Sequence, residues 1–187
     1  MRVITGEAKG RRLFSPKSTR IRPALDQVKE AVFNILFDVT DLRVLDLFAG
    51  TGSMGIEALS RGAKHATFVD DFASAITIIR KNLKLCGFEG RADVFHAKAM
   101  TAIKRLSKQG KSFGLIFVDP PYLKNFVVPT LLALSQSDII LSSSIIIVEH
   151  HPKEPIGPIE KLKVVDSRRY GQTLITFLKN CAVRIDE

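Results

Sequence analysis

The residues with the plainest capacity for chemistry are Asp119, Pro120, Pro121 and Tyr122. They follow Phe113-Gly114-Leu115-Ile116-Phe117-Val118, a short apolar run that reads as a buried strand. Two prolines cannot continue that strand, because they donate no ladder hydrogen bond and fix their own φ. The outcome is a rigid shelf at a strand's carboxyl end, where open α/β sheets bind ligands. It presents a carboxylate, a proline carbonyl and an aromatic face, a set suited to a planar group with an amine at its edge. A chemically silent strand-ending turn can carry the same letters, so the shelf alone leaves both readings open.

A second constellation lies upstream. Gly50-Thr51-Gly52-Ser53-Met54-Gly55 satisfies the G-x-G-x-x-G pattern at a strand-to-helix junction. Glycines there permit a tight turn and let backbone N–H groups approach a ligand at the helix N-terminus. Asp70 follows Gly52 by eighteen residues, at the end of the next apolar run. A carboxylate in that place can accept both hydroxyls of a ribose. The loop fits a nicotinamide enzyme or a methyltransferase that uses S-adenosylmethionine. Asp46, in the strand before the glycines, favours the second class, since it can anchor the loop or reach a cofactor's ammonium group. A pyrophosphate cofactor would gain nothing from a carboxylate there, and no constellation for hydride transfer stands out.

The elements that must position these groups follow from periodicity. Arg2–Thr5 and Arg12–Phe14 are β-like runs joined through Gly6 and Gly10, which predicts a small hairpin. Pro23 opens an amphipathic helix over 24–37, with Val28, Ala31, Val32, Ile35 and Leu36 on its core stripe. Strand–helix units then alternate: strands at 43–48, 65–70, 92–96, 113–118 and 144–149, with helices at 53–61, 72–86, 99–107 and 125–135. A Pro-rich loop from His150 to Pro158 precedes a closing antiparallel hairpin, 161–169 with 172–178. Such alternation predicts a mostly parallel, doubly wound sheet. In that winding the strand at 113–118 lies beside the strand at 43–48.

Composition narrows the partners. Twenty-eight Lys and Arg against nineteen Asp and Glu give a formal charge of +9, which favours a polyanion. From Lys9 to Arg22 six of fourteen residues are basic, Lys9, Arg11, Arg12, Lys17, Arg20 and Arg22, with no acid among them. The mix of arginines with apolar anchors points to a phosphate-gripping arm rather than a merely solvated one. Lys124, two residues after Tyr122, is a further phosphate candidate. No apolar stretch reaches the ~20 residues of a membrane span. Met1–Gly6 lacks a signal-peptide core, and Cys86 and Cys181 fit no metal or redox spacing, so a reducing cytoplasm is expected. The adjacent His150 and His151 point different ways, and no metal is expected.

Phe48-Ala49-Gly50-Thr51-Gly52 with Asp119-Pro120-Pro121-Tyr122 resembles a class I methyltransferase that modifies an exocyclic or amide nitrogen. The wider pattern is similar to the RsmD family of small-subunit ribosomal RNA guanine-N2 methyltransferases. It runs through Arg2-Val3-Ile4-Thr5-Gly6, Lys9-Gly10-Arg11-Arg12-Leu13, Arg22-Pro23, Val28-Lys29-Glu30 and Phe33-Asn34. It continues in Gly55-Ile56-Glu57-Ala58-Leu59-Ser60-Arg61 and Phe117-Val118-Asp119-Pro120-Pro121. The resemblance implies that Phe48, Gly50 and Gly52 shape the pocket for the methionine end of S-adenosylmethionine, with Asp46 in support. By the same implication Asp70 holds the ribose, and Lys98 and Ala99 flank the adenine. Asp119 and the Pro120 carbonyl accept from the guanine amine, beside Pro121, and Tyr122 stacks on the ring. Three positions depart from the family pattern: Ala24 stands for Thr, Lys98 for an acid or amide, and Asp70 for a longer Glu.

The expected fold is therefore α/β: a doubly wound, mostly parallel, seven-stranded Rossmann-like methyltransferase sheet with an antiparallel C-terminal hairpin. Residues 1–37 form a basic hairpin-and-helix extension and 38–187 the methyltransferase domain. The expected protein is a monomeric cytoplasmic enzyme acting on ribosomal RNA, within a small-subunit assembly particle. The shelf also suits adenine N6 or cytosine N4 in DNA, or a protein glutamine. A non-catalytic RNA-binding module is the alternative of a different class.

Overall fold

Val44, Leu45 and Leu47 lie fully buried on β1 (Arg43–Leu47), and Ala66, Thr67 and Phe68 on β2 (His65–Asp70). Strands buried on consecutive residues belong to a parallel sheet covered on both faces, and these two pair in parallel. β3 (Ala92–His96) adds to β2 in the same sense, with four half-buried residues and an exposed His96, as an edge strand should. Each parallel return needs a crossover helix. α2 (Ser53–Ser60) supplies the first and α3 (Ala73–Cys86) the second. Gly87 ends α3 at φ 76, the left-handed cap that glycine adopts without strain.

The computed structural model describes residues 1–16, 23–36 and 38–181. The chain divides into two units, Met1–Ala99 and Met100–Glu187. The first holds the strand order β3-β2-β1 and the second β4-β5-β7-β6.

The N-terminal run belongs to the first unit. The expected hairpin is present as a ribbon with one antiparallel bridge, Arg2 to Arg12, and no extended strand. Val3 N donates to Arg11 O at 3.0 Å and Leu13 N to Met1 O at 3.2 Å. Pairing goes no further because the next amides are used elsewhere. Ile4 N and Thr5 N donate to the two carboxylate oxygens of Glu57 on α2, at 2.8 and 3.0 Å. A side chain on Gly6 would overlap the Ser60 carbonyl, so the ribbon lies directly on α2.

Glu57 is completely buried. It also accepts from Arg61 Nε at 2.9 Å and faces Lys29 Nζ at 3.3 Å. Lys29, on α1 (Pro23–Leu36), donates further to Arg2 O at 2.6 Å and Ser53 Oγ at 3.1 Å. Burial pushes the Lys29 ammonium below its usual range, and Glu57 pulls it back up. A buried charge so fully bonded holds α1, α2 and the ribbon together. Deleting one partner of such a group costs about 3–5 kcal/mol.

In the second unit β4 (Phe113–Val118) pairs in parallel with β5 (Ile140–His150). β7 (Thr173–Asn180) runs antiparallel to β5, and β6 (Leu162–Tyr170) antiparallel to β7. The closing hairpin is thus inserted in reverse, its second strand innermost. β5 begins four residues before the expected Ser144. The register jumps from Phe113–Ile140 to Leu115–Ile145, and the Ser144 hydroxyl closes the bulge by donating to Phe113 O at 2.6 Å. α4 (Ala99–Lys108) precedes β4, and α5 (Val127–Ser135) follows it.

Candidate active site

The glycine loop starts with a departure from ordinary backbone geometry. Phe48, directly after β1, has φ 61, a left-handed conformation that a bulky residue enters at a cost of about 1–3 kcal/mol. The chain must turn there to bring Ala49 N onto Val69 O at 2.9 Å and Gly50 N onto Asp70 Oδ2 at 2.8 Å. Gly50 and Gly52 continue at φ 56 and 76, and Ile56 N donates to Gly52 O at 2.9 Å, starting the ladder of α2. A Cβ on Gly50 would meet nothing within 4 Å, so this side of the loop faces open space. Gly55 is required for the opposite reason. A Cβ there would lie 2.7 Å from Phe68 Cζ and 3.2 Å from Asp46 Oδ2, so only glycine lets α2 pack this closely on β1 and β2.

Asp46 is 2% exposed and accepts from Gly55 N at 3.0 Å. Burial pushes its carboxyl up to about 7; the Gly55 N–H opposes that shift and the neighbouring Asp70 adds to it. Asp70 receives backbone donors on both oxygens: Gly50 N on Oδ2, and Phe72 N on Oδ1 at 2.9 Å. A carboxylate oxygen carries a second lone pair, so these bonds fix the group without exhausting it. The Asp70 carbonyl accepts from Ala97 N at 3.0 Å and so locates the segment that follows β3. Lys98 there is exposed, and Ala99 is buried at the start of α4.

The shelf occupies the end of β4. Asp119, Pro121 and Tyr122 are exposed and Pro120 is buried. The Tyr122 hydroxyl donates to Glu149 Oε1 at 2.5 Å and shares a second bond, 2.8 Å, with Thr173 Oγ1. Burial and the Glu149 bond both push the Tyr122 phenol above its usual range, so it remains neutral. Its ring centre lies 6.1 Å from that of His151, tilted by 59°. The following turn is left-handed twice, at Leu123 (φ 59) and Asn125 (φ 57). Glu154 stabilises it by accepting from Leu123 N at 2.8 Å and Asn125 N at 3.1 Å. His150 holds Glu154 in turn: its Nδ1 lies 2.9 Å from Glu154 O and its Nε2 2.9 Å from Thr176 Oγ1. A carbonyl can only accept, so Nδ1 carries the proton. Burial lowers the His150 pKa, which keeps the ring neutral and makes Nε2 an acceptor.

Among the RNA candidates, Lys9, Arg11 and Arg12 are exposed on the ribbon and Lys124 on the turn after the shelf. Arg20 and Arg22 lie outside the described residues. Four supporting residues had no role legible in the sequence: Glu57, which stands inside the Gly55–Arg61 motif, and Asn82, Glu149 and Glu154, which stand in none. Asn82 and Glu57 carry one weak signal: each is a polar residue on the inward stripe of an amphipathic helix.

In overall fold the chain is similar to the Escherichia coli protein yhhF. The two share a TM-score of 0.85 and 31% identity over 98% of this chain and 99% of that one. The class is therefore that of the Rossmann-like methyltransferases, built on a seven-stranded mixed sheet. The chain belongs to the RsmD family, whose model, described as conserved hypothetical protein 95, matches residues 1–179. Ribosomal RNA small subunit methyltransferase D of Escherichia coli K12 is 35% identical over 150 residues, 80% of this chain and 74% of that protein. YlbH of Bacillus subtilis is 36% identical over 181 residues, 96% and 98% of the two chains.

Proposed function

We propose that this chain transfers a methyl group from S-adenosylmethionine to the exocyclic N2 of a guanine in small-subunit ribosomal RNA. One observation carries the reading most strongly: the exposed Asp119 precedes a tyrosine whose hydroxyl is tied to Glu149 and Thr173, so the ring's orientation is set in advance. The likeness to ribosomal RNA small subunit methyltransferase D supports the substrate.

The glycine loop fits the methyl donor. Open space at Gly50 and the fixed carboxylate of Asp70 suit a ribose and its attached chain, and the buried Asp46 can answer an ammonium group. When bound, S-adenosylmethionine supplies an electrophilic methyl group on a sulfonium. Phe48, Gly50 and Gly52 shape its place, Asp70 holds the ribose, and Lys98 and Ala99 border the adenine.

The remaining work is orientation. A guanine amine is a poor nucleophile because its lone pair is delocalised into the ring. Asp119 and the Pro120 carbonyl accept its two N–H bonds from one side, which favours a pyramidal nitrogen and aims the lone pair. Pro121 stiffens the shelf, and Tyr122 stacks on the base once it has left its helix. Asp119 is thus an orienting and charge-stabilising residue. Residues 1–37 act as an RNA-gripping extension through Lys9, Arg11 and Arg12, and 38–187 as the catalytic domain, with Lys124 as a phosphate contact beside the shelf. The enzyme works as a cytoplasmic monomer on an assembling small subunit.

Asp119→Ala separates orientation from binding. Methyl transfer should fall below detection while S-adenosylhomocysteine still binds with wild-type affinity. Loss of both together would make the shelf a structural element and remove the basis of the reading.

A further inference from the structure

Asn82 sits in the middle of α3, among the inward apolar residues Ile76, Ile79 and Leu83, and is fully buried. A buried amide is costly unless bonded, and this one makes three bonds. Its Oδ1 accepts from Phe14 N at 2.7 Å, and its Nδ2 donates to Phe14 O at 3.0 Å and to Thr51 O at 2.9 Å. The first two are the bonds an adjacent strand would make. Asn82 thus pairs with the backbone of Phe14 just past Arg12, where the ribbon's one bridge ends. The third bond reaches the middle of the glycine loop. The amide is planar, so Thr51 cannot shift relative to Phe14 without breaking one of them.

Two other contacts join the same segments. Thr51 Oγ1 donates to Met1 Sδ at 3.2 Å. Lys29 Nζ spans Arg2 O at 2.6 Å and Ser53 Oγ at 3.1 Å. The arm that carries Arg11 and Arg12 and the loop that faces open space at Gly50 are therefore fastened to each other. Of these three contacts, the Asn82 amide is the one that grips backbone atoms in both segments.

We propose that Asn82 is a positioning residue for the methyl donor. It fixes the Thr51 carbonyl against the basic arm at Phe14, so that filling the glycine loop and gripping RNA strengthen each other. This rests on the reading of Gly50–Gly52 as the donor's loop. Linkage makes the effect reciprocal: each ligand raises the affinity of the other by one common factor.

The test uses the full-length protein, S-adenosylhomocysteine and a small-subunit ribosomal RNA fragment. In wild type each ligand should tighten the other by at least about fivefold. In Asn82→Ala the dissociation constant for S-adenosylhomocysteine should rise roughly tenfold, as expected when the part-buried carbonyls of Thr51 and Phe14 lose their shared partner, and the coupling factor should fall to about one. A folded Asn82→Ala protein with wild-type affinity and coupling would overturn the proposal. Amide hydrogen exchange of the wild-type protein provides a test that does not depend on the variant folding. S-adenosylhomocysteine should slow exchange in both 49–53 and 12–15, and slowing confined to 49–53 would overturn the proposal. If S-adenosylhomocysteine fails to bind wild type at all, the reading of the glycine loop falls first; if it binds without coupling to RNA, only the role of Asn82 falls.

Discussion

Asp46→Asn isolates the electrostatics of the loop. The wild-type carboxyl is 2% exposed, and burial raises it from 3.8 to about 7 in the folded chain. The folded state therefore holds this proton more tightly than the unfolded one. The resulting stabilisation is complete below about pH 4 and is lost as the pH rises to about 7. A shift of this size corresponds to about 4 kcal/mol at 1.36 kcal/mol per unit. Asparagine keeps a carbonyl oxygen for Gly55 N–H and never ionises. The variant should gain on wild type by about 4 kcal/mol between pH 4 and pH 8, equivalent to roughly 10 °C in melting temperature for a chain of this length. Thermal or urea denaturation of both proteins across that range measures it. If Asp46 faces the ammonium group as proposed, the same variant should bind S-adenosylhomocysteine more weakly at pH 8, because that charge is gone. A stability difference between the two proteins that stays constant with pH would place the Asp46 carboxyl in a solvated setting and overturn the prediction.

Two other variants probe separate links. Gly55→Ala forces a methyl group against the buried Phe68 ring and should destabilise by about 3 kcal/mol, the upper end for overpacking, as read by urea denaturation. Arg11→Glu with Arg12→Glu should leave folding intact, since both side chains are exposed, and weaken RNA binding. The slope of log affinity against log salt should fall by about 2, and an unchanged slope would remove these residues from the phosphate contacts.

What the sequence revealed, and what it hid, follows the range of the interactions. Local signals placed the strand at 113–118, the helix end at 86 and the turn at Gly50–Gly52 almost to the residue, because glycine, proline and apolar runs act on their immediate neighbours. The glycine pattern was legible as a tight turn open to a ligand, whereas the packing that makes Gly55 obligatory depends on Phe68, in the next strand. The N-terminal hairpin came out shorter than expected because Glu57, more than fifty residues away, takes the amides of Ile4 and Thr5. β5 came out longer because Ser144 bonds back to Phe113 and keeps a bulged segment in register.

The shelf shows the same division. Asp119-Pro120-Pro121-Tyr122 is legible as a motif, yet the devices that hold it are not. Glu149 and Thr173 on Tyr122, and Glu154 on the left-handed turn at Leu123 and Asn125, come from strands and loops far along the chain. Nothing in the local spelling of a single Glu marks it for such a role. His150 and His151, expected from their adjacency to point different ways, divide the work. His150 is a neutral internal strut, and His151 lies beside the Tyr122 ring.

In the proposed reaction the amine held at Asp119 belongs to a guanine of small-subunit ribosomal RNA. The direct measurement supplies labelled S-adenosylmethionine with naked ribosomal RNA, partly assembled small subunits, DNA and protein, followed by nucleoside and amino-acid analysis. Label should appear in N2-methylguanosine from the RNA or particle, and none after Asp119→Ala. Label on adenine or cytosine of DNA, or on a protein glutamine, with none on guanine, would contradict it.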